Sequence, residues 1–146
     1  MSTPATALLF ACLALPLAAE AAVCSRQSPP HTVALLELYT SEGCSSCPPA
    51  DRWLQELPQK FGPDQLLALS LHVDYWDYIG WQDTFGNARF TARQKAYAHA
   101  AGEKMIYTPQ MIVAGAARVE GNQPGLVAAA IAESAATPDA LALDLQ

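Results

Sequence analysis

A hydrophobic run of strand length leads, five residues later, into Cys44-Ser45-Ser46-Cys47 and then Pro48-Pro49, and this arrangement restricts the fold more than any other part of the chain. Residues 33–39, Val-Ala-Leu-Leu-Glu-Leu-Tyr, are almost continuously apolar, as a parallel strand buried on both faces requires. The loop Thr40-Ser41-Glu42-Gly43 delivers the chain to the cysteines. A helix is predicted next, with Trp53, Leu54, Leu57 and Phe61 on one stripe, a kink at Pro58 and a stop at Gly62. Helix positions i and i+3 share a face, so Cys44 and Cys47 can bond to each other without backbone movement. Pro48 and Pro49 lack N–H groups, which leaves those of Ser45, Ser46 and Cys47 close to the Cys44 sulfur. With the positive end of the helix dipole they favour the thiolate, the reacting species. Pro48 also biases Cys47 away from helical dihedrals, which predicts a distorted first turn.

A second apolar run, residues 66–73, reads as another buried strand and completes a β-α-β unit with a right-handed crossover. Residues 74–86 are dense in aromatics: Tyr75, Trp76, Tyr78, Trp81 and Phe85. They suit a structural cover with part of its face exposed. Residues 88–101 read as a helix carrying Phe90, Tyr97 and Ala101 on one side, ended by Gly102. Residues 110–113 and 117–119 form a hairpin around Ala114-Gly115, and residues 126–136 a last, alanine-rich helix. The tail, residues 141–146, alternates like a strand without an evident partner.

The chain has 146 residues and a net charge of −6. Length and an apolar content of 51% suit one domain with a real core. Residues 1–21 read as a secretory signal: an apolar stretch over 5–19, too short to span a bilayer comfortably, then Ala19-Glu20-Ala21 as a cleavage site. The n-region lacks Lys and Arg, and a buried helix is the alternative, opposed by Pro16. Export places the chain in a periplasmic or secreted, oxidising setting, with no membrane span in the mature part. Glu20 is the only charged residue before position 22, so the mature part carries −5. It lacks the basic patch that phosphate neutralisation needs, which argues against nucleic acid. Of its three cysteines, Cys44 and Cys47 pair, leaving Cys24 as a free thiol or an intermolecular bridge. The expected organisation is a signal over 1–21, a flexible segment over 22–31, one domain over 32–137 and a tail over 138–146.

Three stretches carry a resemblance. Residues 37–51 (ELYTSEGCSSCPPAD), residues 72–81 (HVDYWDYIGW) and residues 107–111 (YTPQM) are similar to the secreted thioredoxin-like proteins filed as domain of unknown function 1223. The resemblance covers about residues 33–136. It implies an α/β, thioredoxin-like fold: a central mixed sheet with flanking helices and CxxC at the start of the first helix. Members usually continue into a further β-rich region, so the tail is expected to be its truncated start. By analogy with the fold, Pro109 is expected to be cis and to face the cysteines, with Thr108 offering its backbone to an extended peptide.

The reading that follows is an exported thiol–disulfide oxidoreductase without a separate cofactor, its partners protein or small-molecule thiols and disulfides. The Cys44 thiolate attacks a substrate disulfide, and Cys47 resolves the mixed disulfide. Thr108 and Pro109 dock the substrate, while His72 and Asp74, at the end of the second strand, are candidates for proton transfer. For His72 the plainer expectation is a strand-end histidine bonded to backbone. Two alternatives stand beside this reading: a non-catalytic binding module stapled by a structural disulfide, and copper handling by Cys44, Cys47 and His72, against which the cysteine spacing counts. Zinc is opposed by the lack of a second CxxC. Calcium at Asp74, Asp77 and Asp83 is opposed by their spacing. His31 and His99 show no partner pattern and are expected at the surface.

Overall fold

The computed structural model describes residues 25–121, 123–138 and 143–145. The expected signal segment and Cys24 lie outside the described residues. The elements are β1 (Arg26–Gln27), β2 (Ala34–Thr40), α1 (Pro48–Lys60), β3 (Leu66–His72), a 3-10 turn (Asp77–Ile79), α2 (Ala88–Ala100), β4 (Gln110–Val113), β5 (Ala117–Glu120), α3 (Pro124–Ala135) and β6 (Asp144–Leu145). The main sheet has the order β3-β2-β4-β5. β2 and β3 are parallel, in register from Ala34 opposite Leu66 to Thr40 opposite His72. β4 runs antiparallel to both β2 and β5. The architecture is α/β: a mixed four-stranded sheet with flanking helices.

β2 occupies the middle because its apolar run can face a covering layer on each side. Leu36 and Leu38 point to one side and join Ala34, Ala50, Leu57, Leu66, Met111, Val113, Val127 and Ile131 in a cluster under α1 and α3. Tyr39 points to the other side and packs with Leu71, Val73 and Ile112, flanked by Phe90 and Tyr97 of α2.

Several expectations need correction. β3 is an edge strand in the main sheet, and Leu67 and Leu69 are exposed. Its apolar run resembles that of β2, but burial depends on neighbours: Leu66 and Leu71 are buried in the two clusters, and Ala68 packs partly buried against the first. α1 runs through Pro58 to Lys60 and ends when Phe61 turns extended (φ −125°, ψ 129°), its N–H donating to the Leu57 carbonyl. Phe61 packs against the cluster, so burial of its ring rather than a left-handed Gly62 sets this end. α2 does end at Gly102, which is left-handed (φ 73°). The Gly102 N–H donates to His99 and that of Glu103 to Ala98, a Schellman closure. Phe90 and Tyr97 pack against the second cluster as expected, but the buried residues of α2 are Thr91, Gln94 and Ala98, and Ala101 is exposed.

The hairpin turns at Ala114 (φ 51°) and Gly115 (φ 72°), as the sequence predicts. The tail strand β6 finds its partner in β1, Arg26 opposite Leu145. Next to this pair, Ser28 exchanges two hydrogen bonds with Leu143 and Thr32 donates to the Thr137 carbonyl. His31 hydrogen-bonds through Nε2 to the Asp64 carbonyl at 2.8 Å. Among the described residues no helix is long and apolar enough to cross a membrane.

Candidate functional site

Cys44 and Cys47 form a disulfide, S–S 2.04 Å and Cα–Cα 5.4 Å, just before α1. The chain reaches it by successive turns. The Cys44 N–H donates to Ser41, that of Cys47 to the Cys44 carbonyl, and that of Asp51 to Cys47, which starts the helix. Cys47 sits in the right-handed helical region (φ −77°, ψ −33°), so Pro48 does not expel it. The short bridge and the Cys47 N–H bond hold it against that bias. One of the three amides expected under the Cys44 sulfur, that of Cys47, is therefore engaged by a carbonyl. The nearest polar side-chain partner of the Cys44 sulfur is the Ser46 hydroxyl, at 3.5 Å. Cys44 is 2% exposed and Cys47 fully buried, between exposed Ser45, Ser46, Pro48 and Pro49.

Behind the disulfide the sheet ends in polar residues. Thr40 and His72 are register partners at the carboxyl ends of β2 and β3. The Thr40 hydroxyl donates to Asp51 Oδ1 at 2.8 Å, in the first turn of α1. Burial pushes the Asp51 carboxyl above its ordinary range, against the opposing pull of the Thr40 hydrogen bond and of His72 and Arg52. His72 pairs through Nδ1 with Asp83 Oδ2 at 2.7 Å, a carboxylate rather than backbone. Asp83 also accepts from the backbone N–H of Glu42 (2.8 Å) and of Phe85 (2.9 Å), while its own N–H donates to Asp77 Oδ1. Burial opposes the Asp83 charge, but these donors together outweigh it and hold the carboxyl below the usual range. Asp74 stands apart from His72: its Oδ1 accepts from the Thr91 hydroxyl. Among the described residues no group of three His, Cys, Asp or Glu side chains is placed to hold a metal ion.

The Thr108–Pro109 peptide bond is cis. The Trp76 indole N–H donates to Thr108 Oγ1 at 2.8 Å. Gln94 donates to the Tyr107 carbonyl (2.7 Å) and to Gln110 Oε1 (2.8 Å), and accepts from the Tyr75 hydroxyl. α2 thus clamps the aromatic segment and the Tyr107–Gln110 loop together. Gly121 seats Pro109 from the far side, its N–H donating to the Pro109 carbonyl. A Cβ on Gly121 would lie 2.7 Å from Pro109 Cβ and 3.1 Å from Ala50 Cβ, so only glycine permits this approach to the first turn of α1.

The aromatic segment covers the loop before the cysteines. A Cβ on Gly43 would meet Trp76 Cβ at 3.0 Å. Trp76 stacks with Tyr78, 6.5 Å between ring centroids. Tyr78, Ile79, Trp81 and Phe85 are largely exposed. The sequence marks Trp76 only as part of an aromatic cover and Asp83 only as a poorly spaced calcium candidate, and it gives no sign of Gln94 or Gly121. The predicted hairpin sets Gly121 opposite Pro109, but nothing along the chain signals that Ala50 closes on the same glycine.

Residues 35–146 match the family described as Protein of unknown function (DUF1223). The chain belongs to this family. No curated protein matches it. The crystal structure of a protein from Agrobacterium tumefaciens is similar, with 42% sequence identity and a TM-score of 0.61 over 70% of this chain and 45% of that one. The part of this DUF1223 chain that matches therefore spans less than half the length of that protein.

Proposed function

We propose that this DUF1223 chain is a thiol–disulfide oxidoreductase of thioredoxin-like type, working in an exported, oxidising setting on protein or small-molecule thiols and disulfides. The observation that carries the reading is the Cys44–Cys47 bridge at the mouth of α1, with the Thr108–Pro109 loop held nearby by Trp76 and Gly121. A bridge with a sequence separation of 3 is a poor staple. On a chain-entropy account, closing so short a loop contributes only about 2 kcal/mol, against nearly 5 for a loop of about 100 residues. Its value lies in reversibility.

In the reducing direction the Cys44 thiolate attacks one sulfur of a substrate disulfide, and the other leaves as a thiolate. The Cys47 thiolate then attacks Cys44 Sγ, the intramolecular disulfide re-forms, and the second substrate sulfur departs. Two electrons pass from the protein dithiol to the substrate; the reverse sequence oxidises a substrate dithiol. Both cysteines are buried, so on this reading the substrate approaches across the exposed residues around them, Ser45, Ser46, Pro48 and Pro49. His72, polarised by Asp83, is the candidate to hold the proton exchanged with a departing thiol.

Burial of the bridge also favours a second reading, a binding module with an inert disulfide. A redox titration separates the two. An exchange catalyst should equilibrate above about −300 mV, and a potential below that value favours the staple. The direct test is Cys47→Ser, which should accumulate mixed disulfides through Cys44. Recovery of no trapped partner from the native compartment counts against exchange.

A further inference from the structure

We propose that the groove formed by Glu42, Gly43, Ser45, Ile79 and Trp81 recognises a Lys or Arg side chain flanking the reacting cysteine of the substrate, an inference that rests on the exchange reading above. The groove opens beside the disulfide: Glu42 is two residues before Cys44, and Ser45 follows it.

Its one charged group is held in place. The Glu42 backbone N–H is anchored on the buried Asp83 carboxylate, and its side-chain Oε2 accepts from the Trp81 indole N–H at 2.9 Å. Each of the other nearby carboxylates has a partner: Asp83 has His72, Asp74 has Thr91, and Asp77 takes the Asp83 N–H. Glu42 makes no ion pair among the described residues. The two segments that frame the disulfide, residues 40–47 and 73–87, hold Glu42, Asp74, Asp77 and Asp83 and no Lys or Arg. Arg52, on α1, lines a different groove with Pro49, Trp53 and Gly121. These two segments therefore carry a net negative charge.

The apolar part of the groove fits the same occupant. Trp81 is 60% exposed, and an indole whose N–H is bonded to a carboxylate presents a ring face suited to a cation. Ile79, also exposed, gives a long basic side chain a surface for its methylene stem. An acidic side chain here would meet like charge, and an aliphatic one would strip water from Glu42 without replacing it. An ion pair of this exposure together with a cation–π contact corresponds to a preference of roughly 5- to 10-fold.

The test uses the full chain, reduced, in single turnover. Three peptides, alike except for Arg, Leu or Glu beside the cysteine, are each supplied as a mixed disulfide with 2-mercaptoethanol. Oxidation of Cys44 and Cys47 releases both thiols. The rate constants should fall in the order Arg, Leu, Glu, the Arg-to-Leu ratio should shrink as salt is raised, and Glu42→Gln should bring that ratio near 1. Equal rates for the three peptides, or a ratio unmoved by Glu42→Gln, overturn the groove assignment and leave exchange standing. If no peptide is turned over, the exchange reading fails instead. The groove is then judged by fluorescence titration with S-methylated peptides, where tighter binding of the Arg peptide upholds it and equal binding overturns it.

Discussion

The two faces of the sheet are built from different chemistry. The face under α1 and α3 is apolar: Leu36, Leu38, Leu57, Met111, Val127 and Ile131 are buried and pack on one another. The face under α2 carries a smaller cluster around Tyr39 and Ile112, and beside it a set of buried polar groups. Glu37 is 1% exposed and accepts from Arg93 Nε, and its Oε2 has no partner among the described residues. Arg93 also donates to the Tyr97 hydroxyl. Burial, and then the Glu37 charge, push the Tyr39 hydroxyl well above its ordinary range. Gln94 and Thr91 reach the Tyr107–Gln110 loop and Asp74. Apolar packing is non-directional and supplies stability, whereas hydrogen bonds are directional and set where a loop goes. The α1/α3 face therefore holds the fold together, and the α2 face aims the loops around the disulfide.

The sharpest way to break this contrast is Leu57→Ala, on the apolar face. It should lower stability by about 2–5 kcal/mol in urea unfolding and leave the exchange rate of the folded fraction close to wild type. Gln94→Leu is the converse. It strands the Tyr107 carbonyl and Gln110, should cost about 1–3 kcal/mol, and should slow exchange at temperatures where the variant stays folded. If Leu57→Ala slows exchange as much as Gln94→Leu does, the division of labour between the faces is wrong. Gly121→Ala forces Pro109 or Ala50 to move, at about 1–3 kcal/mol, and should reduce the exchange rate constant more than the unfolding midpoint implies.

A pH series gives the smallest effect and the finest distinction. The Asp83 carboxyl is held low, so its network is at full strength above the unfolded carboxylate value near 3.9 and weakens as pH falls below it. Asp51 is raised, so its ionisation opposes folding and that penalty disappears in acid. The stability gap between wild type and Asp83→Asn should accordingly narrow below pH ~4, while Asp51→Asn should gain on wild type as pH rises from ~4 toward neutrality. Parallel curves for the two variants would mean that these carboxylates share one environment.

Much of this molecule could be read along the chain. The apolar run of β2, the cysteine spacing, Gly102 and Ala114-Gly115 each carry local signals, because strand burial, turn geometry and left-handed backbone depend on a few adjacent residues. The pairing of Cys44 with Cys47 and the hairpin belong to this class. The edge position of β3 does not: residues 66–72 are as apolar as a central strand, and only the sheet order leaves Leu67 and Leu69 uncovered. The partners of His72 and Asp74 were equally hidden. Asp83, 11 residues from His72, and Thr91, 17 from Asp74, meet them because the aromatic segment folds back over the strand ends.

Local patterning determined which segments of this chain become strands, helices and turns, and where a dithiol could close, since those choices rest on neighbours along the backbone. Tertiary structure alone decided that Ala50 closes on Gly121 beside Pro109, that Trp76 holds Thr108, and that Glu42 stands against Trp81 beside the disulfide. The contacts of Trp76 with Thr108, of Glu42 with Trp81 and of Gly121 with Ala50 join residues 32 to 71 positions apart, and only the tertiary fold brings them within hydrogen-bond or van der Waals reach.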